Sequence, residues 1–122
     1  MAVRILIVDD ITQVREDLRT LLTITGEYVI VGEAADGLQA ISLVEALQPE
    51  VVLMDIEMPV MNGIEATHRI KARYPGCKVI ALTIHTGEAE NRKAIQAGVD
   101  IFIEKGAPIN DLLGNIRKSL LE

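Results

Sequence analysis

Apolar residues run almost unbroken from Val3 to Val8, thin to helical spacing at Val14, Leu18, Leu21 and Leu22, and close up again over residues 28–32. This alternation repeats five times along the chain. A strand buried on both faces of a parallel sheet reads as a continuous aliphatic run, whereas a helix lying on that sheet shows apolar residues three and four apart. Residues 51–54, 79–82 and 101–103 supply the other strands. Gly26 predicts the end of the first helix. Asp36 predicts an N-cap for a second helix with Leu38, Ile41, Val44 and Leu47 on one face, stopped before Pro49. Asn62 predicts the cap of a third, with Ile64, Ile70 and Tyr74 inward and Pro75-Gly76 closing it. A fourth helix over residues 88–97 ends at Gly98, a residue suited to a left-handed cap. Pro108 is expected as the first residue of a fifth, whose apolar stripe is Ile109, Leu112, Leu113, Ile116 and Leu120. Five βα units with short connections predict an α/β fold, a doubly wound five-stranded parallel sheet covered by helices on both faces.

A chain of 122 residues has the length of one domain and buries about two thirds of its unfolded surface on folding. Only 2% of the residues are aromatic, so the core must be aliphatic. The net charge of −6, with no Lys/Arg run longer than a pair, argues against electrostatic binding of nucleic acid or an anionic membrane by this domain. The lone Cys77 permits no internal disulfide and fits a reducing compartment, where it reads as a small buried hydrophobe at a strand start. The first strand begins almost at once and no apolar run reaches membrane length. The expectation is a soluble, cytoplasmic protein.

Chemistry concentrates at the ends of the strands. Asp9 and Asp10 close the first apolar run and Asp55 closes the third. Two carboxylates about 5 Å apart repel by roughly 3 kcal/mol at an effective dielectric near 20, and a hard divalent cation is the natural relief. Ligands of such sheets bind beyond the carboxyl ends of the strands, where Thr83 and Lys105 also fall. The first βα turn, Asp9-Asp10-Ile11-Thr12, lacks the glycines of a nucleotide-phosphate loop, which removes flavin and dinucleotide binding. With a cation between the acids, Asp55 is a candidate nucleophile that accepts a phosphoryl group as an acyl phosphate. Mg²⁺, the Lys105 ammonium and the Thr83 hydroxyl are then the expected partners of the phosphoryl oxygens. Each of these residues alone is commonplace at a strand end; the combination is specific.

The chain resembles the receiver domains of two-component response regulators over essentially its whole length. The resemblance is carried by Asp9-Asp10, the block Asp55-Ile56-Glu57-Met58-Pro59-Val60-Met61-Asn62-Gly63, Thr83, and Phe102 three residues before Lys105. It implies a flavodoxin-like strand order 2-1-3-4-5. It also implies phosphorylation of Asp55 by a histidine kinase or phosphotransfer protein, with self-catalysed phosphorylation and dephosphorylation rather than enzymatic turnover of a substrate. Mg²⁺ (or Mn²⁺) would be held by Asp10, Asp55 and the Glu57 carbonyl, with Asp9 reaching it through water. Thr83 and Phe102 would form the switch to the face of the fourth helix, fifth strand and fifth helix. Glu57 and His85 would tune the phosphate lifetime. The resemblance further allows a homodimer, and the Gly32-Glu33-Ala34 stretch with Asp36-Gly37, and the Lys105-Gly106-Ala107 turn, resemble receivers that precede a helix-turn-helix DNA-binding domain. Residues 1–122 then read as a single receiver without an output domain.

Two positions depart from that pattern. Many receivers carry Pro after the lysine, in a cis peptide; here Gly106 follows Lys105, and a cis bond before a non-proline costs about 3 kcal/mol, so trans is expected. Ile84 stands after Thr83 where many receivers have a small residue, narrowing the approach. Two other functions fit the residues less well. A phosphohydrolase of the haloacid dehalogenase type wants Asp-x-Asp after its first strand, which this chain lacks. A phosphorylation-independent scaffold has no need of all five polar residues.

Overall fold

The computed structural model describes residues 2–84 and 87–121. Strands β1 (Val3–Val8), β2 (Tyr28–Ala34), β3 (Val51–Asp55), β4 (Lys78–Thr83) and β5 (Ile101–Glu104) alternate with helices α1 (Thr12–Ile24), α2 (Gly37–Leu47), α3 (Gly63–Arg73), α4 (Glu88–Ala97) and α5 (Ile109–Leu120). The strands form one sheet in the order β2-β1-β3-β4-β5, all pairs parallel. That is the flavodoxin-like order, with its switch point between β1 and β3.

Strand periodicity divides the core into two layers. Leu6, Val8, Val52, Met54, Val79 and Ala81 face one side, where Ala40 and Val44 of α2, Ala66 and Ile70 of α3 and Ala94 of α4 cover them. Ile5, Ile7, Leu53, Ile80, Leu82 and Ile103 face the other, under Leu22 of α1 and Leu112, Leu113 and Ile116 of α5. The middles of the central strands are therefore apolar on both faces, over residues 5–8, 51–54 and 79–82, which explains the unbroken runs. Cys77 is buried just before β4, and burial pushes its thiol up to about 11, so it packs rather than reacts.

The caps expected at Asp36 and Asn62 are present: their side chains accept from the backbone N–H of Gln39 and Glu65, each at 2.9 Å. Gly98 ends α4 in the left-handed region, φ 109°. The Lys105–Gly106 peptide is trans, with Gly106 at φ 89°.

Several details differ from expectation. Strand β2 runs on to Ala34, because Gly32, Glu33 and Ala34 pair with Leu6, Ile7 and Val8 after a bulge that skips Val31. Asp55 and Thr83 are the last residues of their strands rather than residues beyond them. Leu38 faces solvent, whereas Val44 is buried and Ile41 packs on the core as expected, with Gly37 and Ala40 turned inward beside them. Small side chains let that helix lie close: a Cβ on Gly37 would sit 2.7 Å from the Met61 carbonyl oxygen. Leu21 is likewise exposed while Leu22 is fully buried. Pro108 caps α5 from outside instead of opening it, with ψ 144°.

Candidate functional site

Four strand ends deliver the site. Asp9 follows β1 with its backbone N–H bonded to the Ala34 carbonyl (3.0 Å), and its Oδ1 accepts from the Ile11 N–H at 2.9 Å, turning the chain into α1. Asp55 ends β3, and its Oδ1 accepts from the Glu57 N–H at 3.3 Å. The Lys105 backbone N–H donates to the Thr83 carbonyl (2.9 Å), which fixes where the lysine stem begins. Its Nζ then lies 3.0 Å from Asp9 Oδ2 and 3.2 Å from Asp55 Oδ2. One ammonium bridges two buried carboxylates.

Gly63 permits the close approach behind Asp55. A Cβ there would fall 2.1 Å from the Asp55 carbonyl oxygen, and the Gly63 N–H already donates to Ile56 O at 2.8 Å. The intervening loop is tight: Val60 has φ 68° and the Met61 N–H donates to Pro59 O at 2.7 Å, closing a three-residue γ-turn. A β-branched residue in that region is strained, and Val60 is exposed to solvent.

Asp9 and Asp55 are buried and Asp10 is exposed, yet carboxylate oxygens from all three lie within 4.8 Å of one another. Burial, then the nearby Asp9 charge, pushes the Asp55 carboxyl from 3.8 up to about 6 against the opposing pull of Lys105. Burial works to lower the Lys105 ammonium, but its contacts with Asp9 and Asp55 outweigh this and raise it. The Asp9–Lys105 contact is an ion pair without an aligned hydrogen bond. Asp9 Oδ2 is thus a buried oxygen with no hydrogen-bond partner among the described residues.

Above the acids opens a cavity of about 190 Å³ lined by Asp10, Ile11, Asp55, Glu57, Thr83, Ile84 and Lys105. Thr83 is buried at its wall, while Glu57 and Ile84 are exposed at its rim. The arrangement therefore joins Asp9, Asp10, Asp55, Thr83 and Lys105, with Glu57 alongside. Phe102 is not at this cavity; it is half-buried on β5, packed against the layer that carries α2 to α4. His85 lies outside the described residues.

A global match accompanies the local geometry. Residues 5–117 fit the family model of the response regulator receiver domain. The chain belongs to the response regulator receiver family. It is 37% identical to the response regulator protein VraR of Staphylococcus aureus over 119 residues, 98% of this chain and 57% of that relative. A two-component response regulator of the LuxR family from Aurantimonas sp. SI85-9A1 superposes with a TM-score of 0.93 at 34% identity, covering 99% of this chain and 86% of that one. A DNA-binding response regulator of the LuxR family from Staphylococcus aureus gives 0.90 at 31%, covering 96% and 98%. This is thus the receiver domain of a two-component response regulator, and it spans little more than half the length of the curated relatives it matches. No described helix is long and apolar enough to cross a membrane.

The receiver's supporting contacts were less legible from sequence. Arg15 Nη1 donates to the Asp9 carbonyl at 2.6 Å, and its Nε pairs with Glu33 at 3.2 Å. Arg19 reaches the same carboxylate. The only signal was one acid in an otherwise apolar β2 and two arginines four residues apart on α1.

Proposed function

We propose that residues 1–122 act as one phosphoacceptor unit in which Asp55 takes a phosphoryl group from a histidine kinase or phosphotransfer protein and controls a transcriptional output. The observation that carries this reading is the Asp9–Lys105–Asp55 bridge with the Asp10 carboxylate beside it. An Asp55 oxygen attacks phosphorus, the N–P bond of the donor phosphohistidine breaks, and its electron pair returns to the imidazole. Negative charge then leaves the carboxylate for the phosphoryl oxygens. Lys105 follows it, and the Thr83 hydroxyl at the cavity wall donates to another of those oxygens. Hydrolysis by water restores Asp55, so the chemistry is self-directed and produces no turnover of an external substrate.

Receiver domains bind Mg²⁺ at an acidic pocket, and the donor set here fits such an ion. The ligands are hard oxygens, Asp9 Oδ2 is buried with the Lys105 ammonium at 3.0 Å as its charged neighbour, and the spacing is close. Octahedral Mg²⁺ places opposite ligands about 4.2 Å apart, so oxygens within 4.8 Å need only a small contraction or one intervening water. Asp10, Asp55 and the Glu57 carbonyl would hold Mg²⁺ (or Mn²⁺), with Asp9 through water. Bound there, the ion neutralises the charge of the acids and of the entering phosphoryl group. Glu57 at the rim, and His85, set the lifetime of the modified state. Phosphorylation adds about 1.5 to 2 negative charges, and Thr83 and Phe102 transmit them to the α4–β5–α5 face, where a second copy would dock. The transcriptional output is proposed from the DNA-binding relative.

Intact-mass measurement after acetyl phosphate and Mg²⁺ tests the reading. One phosphoryl equivalent on the wild type, none with EDTA and none on Asp55→Asn is expected. Equal labelling of the Asn variant overturns it.

A further inference from the structure

Helix α4 is held very differently at its two ends. At its N-terminus Gly87 offers no side-chain cap, and Glu88, Ala89, Glu90, Arg92 and Lys93 are exposed around a half-buried Asn91. At its C-terminus the Gly98 N–H donates to Ile95 O (3.0 Å) and the Val99 N–H to Ala94 O (3.0 Å). That pair of bonds is a Schellman closure, and Ala94 and Val99 complete it by packing together in the core. Both buried residues of the helix, Ala94 and Ala97, belong to this half.

A side chain from another helix clasps the same end. Lys71 of α3 lies across Gly98: a Cβ on Gly98 would meet Lys71 Cγ at 2.8 Å and Cβ at 3.3 Å. Its Nζ ends 2.7 Å from Asp100 Oδ2, in an ion pair that is mostly shielded from water. Asp100 is itself locked to β4, its Oδ2 accepting from the Val79 N–H (2.8 Å) while its own N–H donates to Val79 O (2.9 Å). The chain leaving α4 is therefore stitched to the sheet and strapped from above by α3.

We propose that this clasp makes the C-terminal end of α4 a fixed pivot, with Lys71 as its positioning residue, so that switching displaces the N-terminal end alone. A helix buried only at one end opens there at low cost, whereas moving the clasped end must break a shielded ion pair and the Schellman bonds together. The N-terminal end also borders the site, since Glu90 and Lys93 share a second cavity with Glu57. The switching arm of this inference rests on the reading of Asp55 given above; the resting pivot does not.

Residue-resolved amide exchange on the whole chain tests it. Without a phosphodonor, the Gly98 and Val99 amides exchange about tenfold or more slower than those of Asn91 and Arg92. Lys71→Ala, which removes both stem and charge, speeds Gly98 and Val99 by about tenfold or more, and Lys71→Met, which keeps the stem, gives a smaller increase. With acetyl phosphate and Mg²⁺, exchange in the wild type changes over residues 91–93 and not at 98–99; in Lys71→Ala the change spreads to 98–99. Unaltered Gly98 and Val99 exchange in both Lys71 variants overturns the pivot, as does an equal donor-induced change at both ends of the wild-type helix. If mass measurement shows no phosphoryl transfer, the Asp55 reading fails, and the resting comparison of the Lys71 variants still decides the pivot.

Discussion

Replacing Asp55 by Asn should stabilise the cation-free protein. The fold holds this carboxyl at about 6 rather than 3.8, chiefly through burial and then through Asp9. At 1.36 kcal/mol per pH unit, that displacement disfavours the charged form by roughly 3 kcal/mol at neutral pH, an upper bound for the gain. Asp55 is only 3% exposed, so solvent screening does little to reduce it. The sign follows from proton counting. Between about pH 4 and 6 the folded chain binds more protons at this group than the unfolded one, so its contribution to stability falls as pH rises. The cost is absent below both values and complete above about pH 6. Urea unfolding in EDTA should therefore show Asp55→Asn more stable than wild type by about 1 to 3 kcal/mol at pH 7.5, the difference vanishing near pH 4. Mg²⁺ narrows the gap from the other side: at tenfold its dissociation constant it adds about 1.4 kcal/mol to the wild type, and less to a variant missing one ligand. An Asn variant less stable than wild type in EDTA at pH 7.5, or a gain of equal size at pH 4, would refute the account of a self-repelling acid cluster.

Other substitutions test separate links. Gly63→Ala places a methyl within 2.1 Å of the Asp55 carbonyl oxygen and should cost about 2 kcal/mol or more in urea unfolding while impairing phosphorylation by acetyl phosphate. Asp36→Ala removes the α2 cap and should cost about 1 kcal/mol with labelling of Asp55 unchanged. Lys105→Met leaves Asp9 and Asp55 facing each other without their shared cation, so the pH at which Asp55 titrates, followed by NMR, should rise further and labelling should slow. Glu57→Ala should alter the decay rate of the phosphorylated form, read by mass over time, without changing overall stability beyond about 0.5 kcal/mol, because the side chain is exposed.

The element order and the strand-end acids were legible because they depend on local rules. Apolar runs mark strands buried on both sides, and Asp36 and Asn62 stand where helices need a side-chain acceptor. What sequence missed depends on neighbours distant in the chain. Glu33 extends β2 although it is charged, because β1 pairs with it and Arg15 and Arg19 neutralise it. On α2 Val44 and Ile41 pack inward as their spacing foretold, but the close contact of Gly37 with the loop at Met61 turns the helix so that Leu38 faces outward. Within the site, the spacing of Asp9, Asp55 and Lys105 foretold that they would share an edge. It did not foretell that one ammonium bridges both acids or that Asp9 Oδ2 would be left without a hydrogen bond.

Chemical location of the phosphoryl group tests the central claim most directly. Borohydride reduces an aspartyl phosphate to homoserine, so wild-type protein treated with acetyl phosphate and Mg²⁺, reduced and digested should carry homoserine at position 55 and nowhere else. Homoserine at Asp9 or Asp10, or an unmodified Asp55 in protein that has gained a phosphoryl mass, would contradict the account.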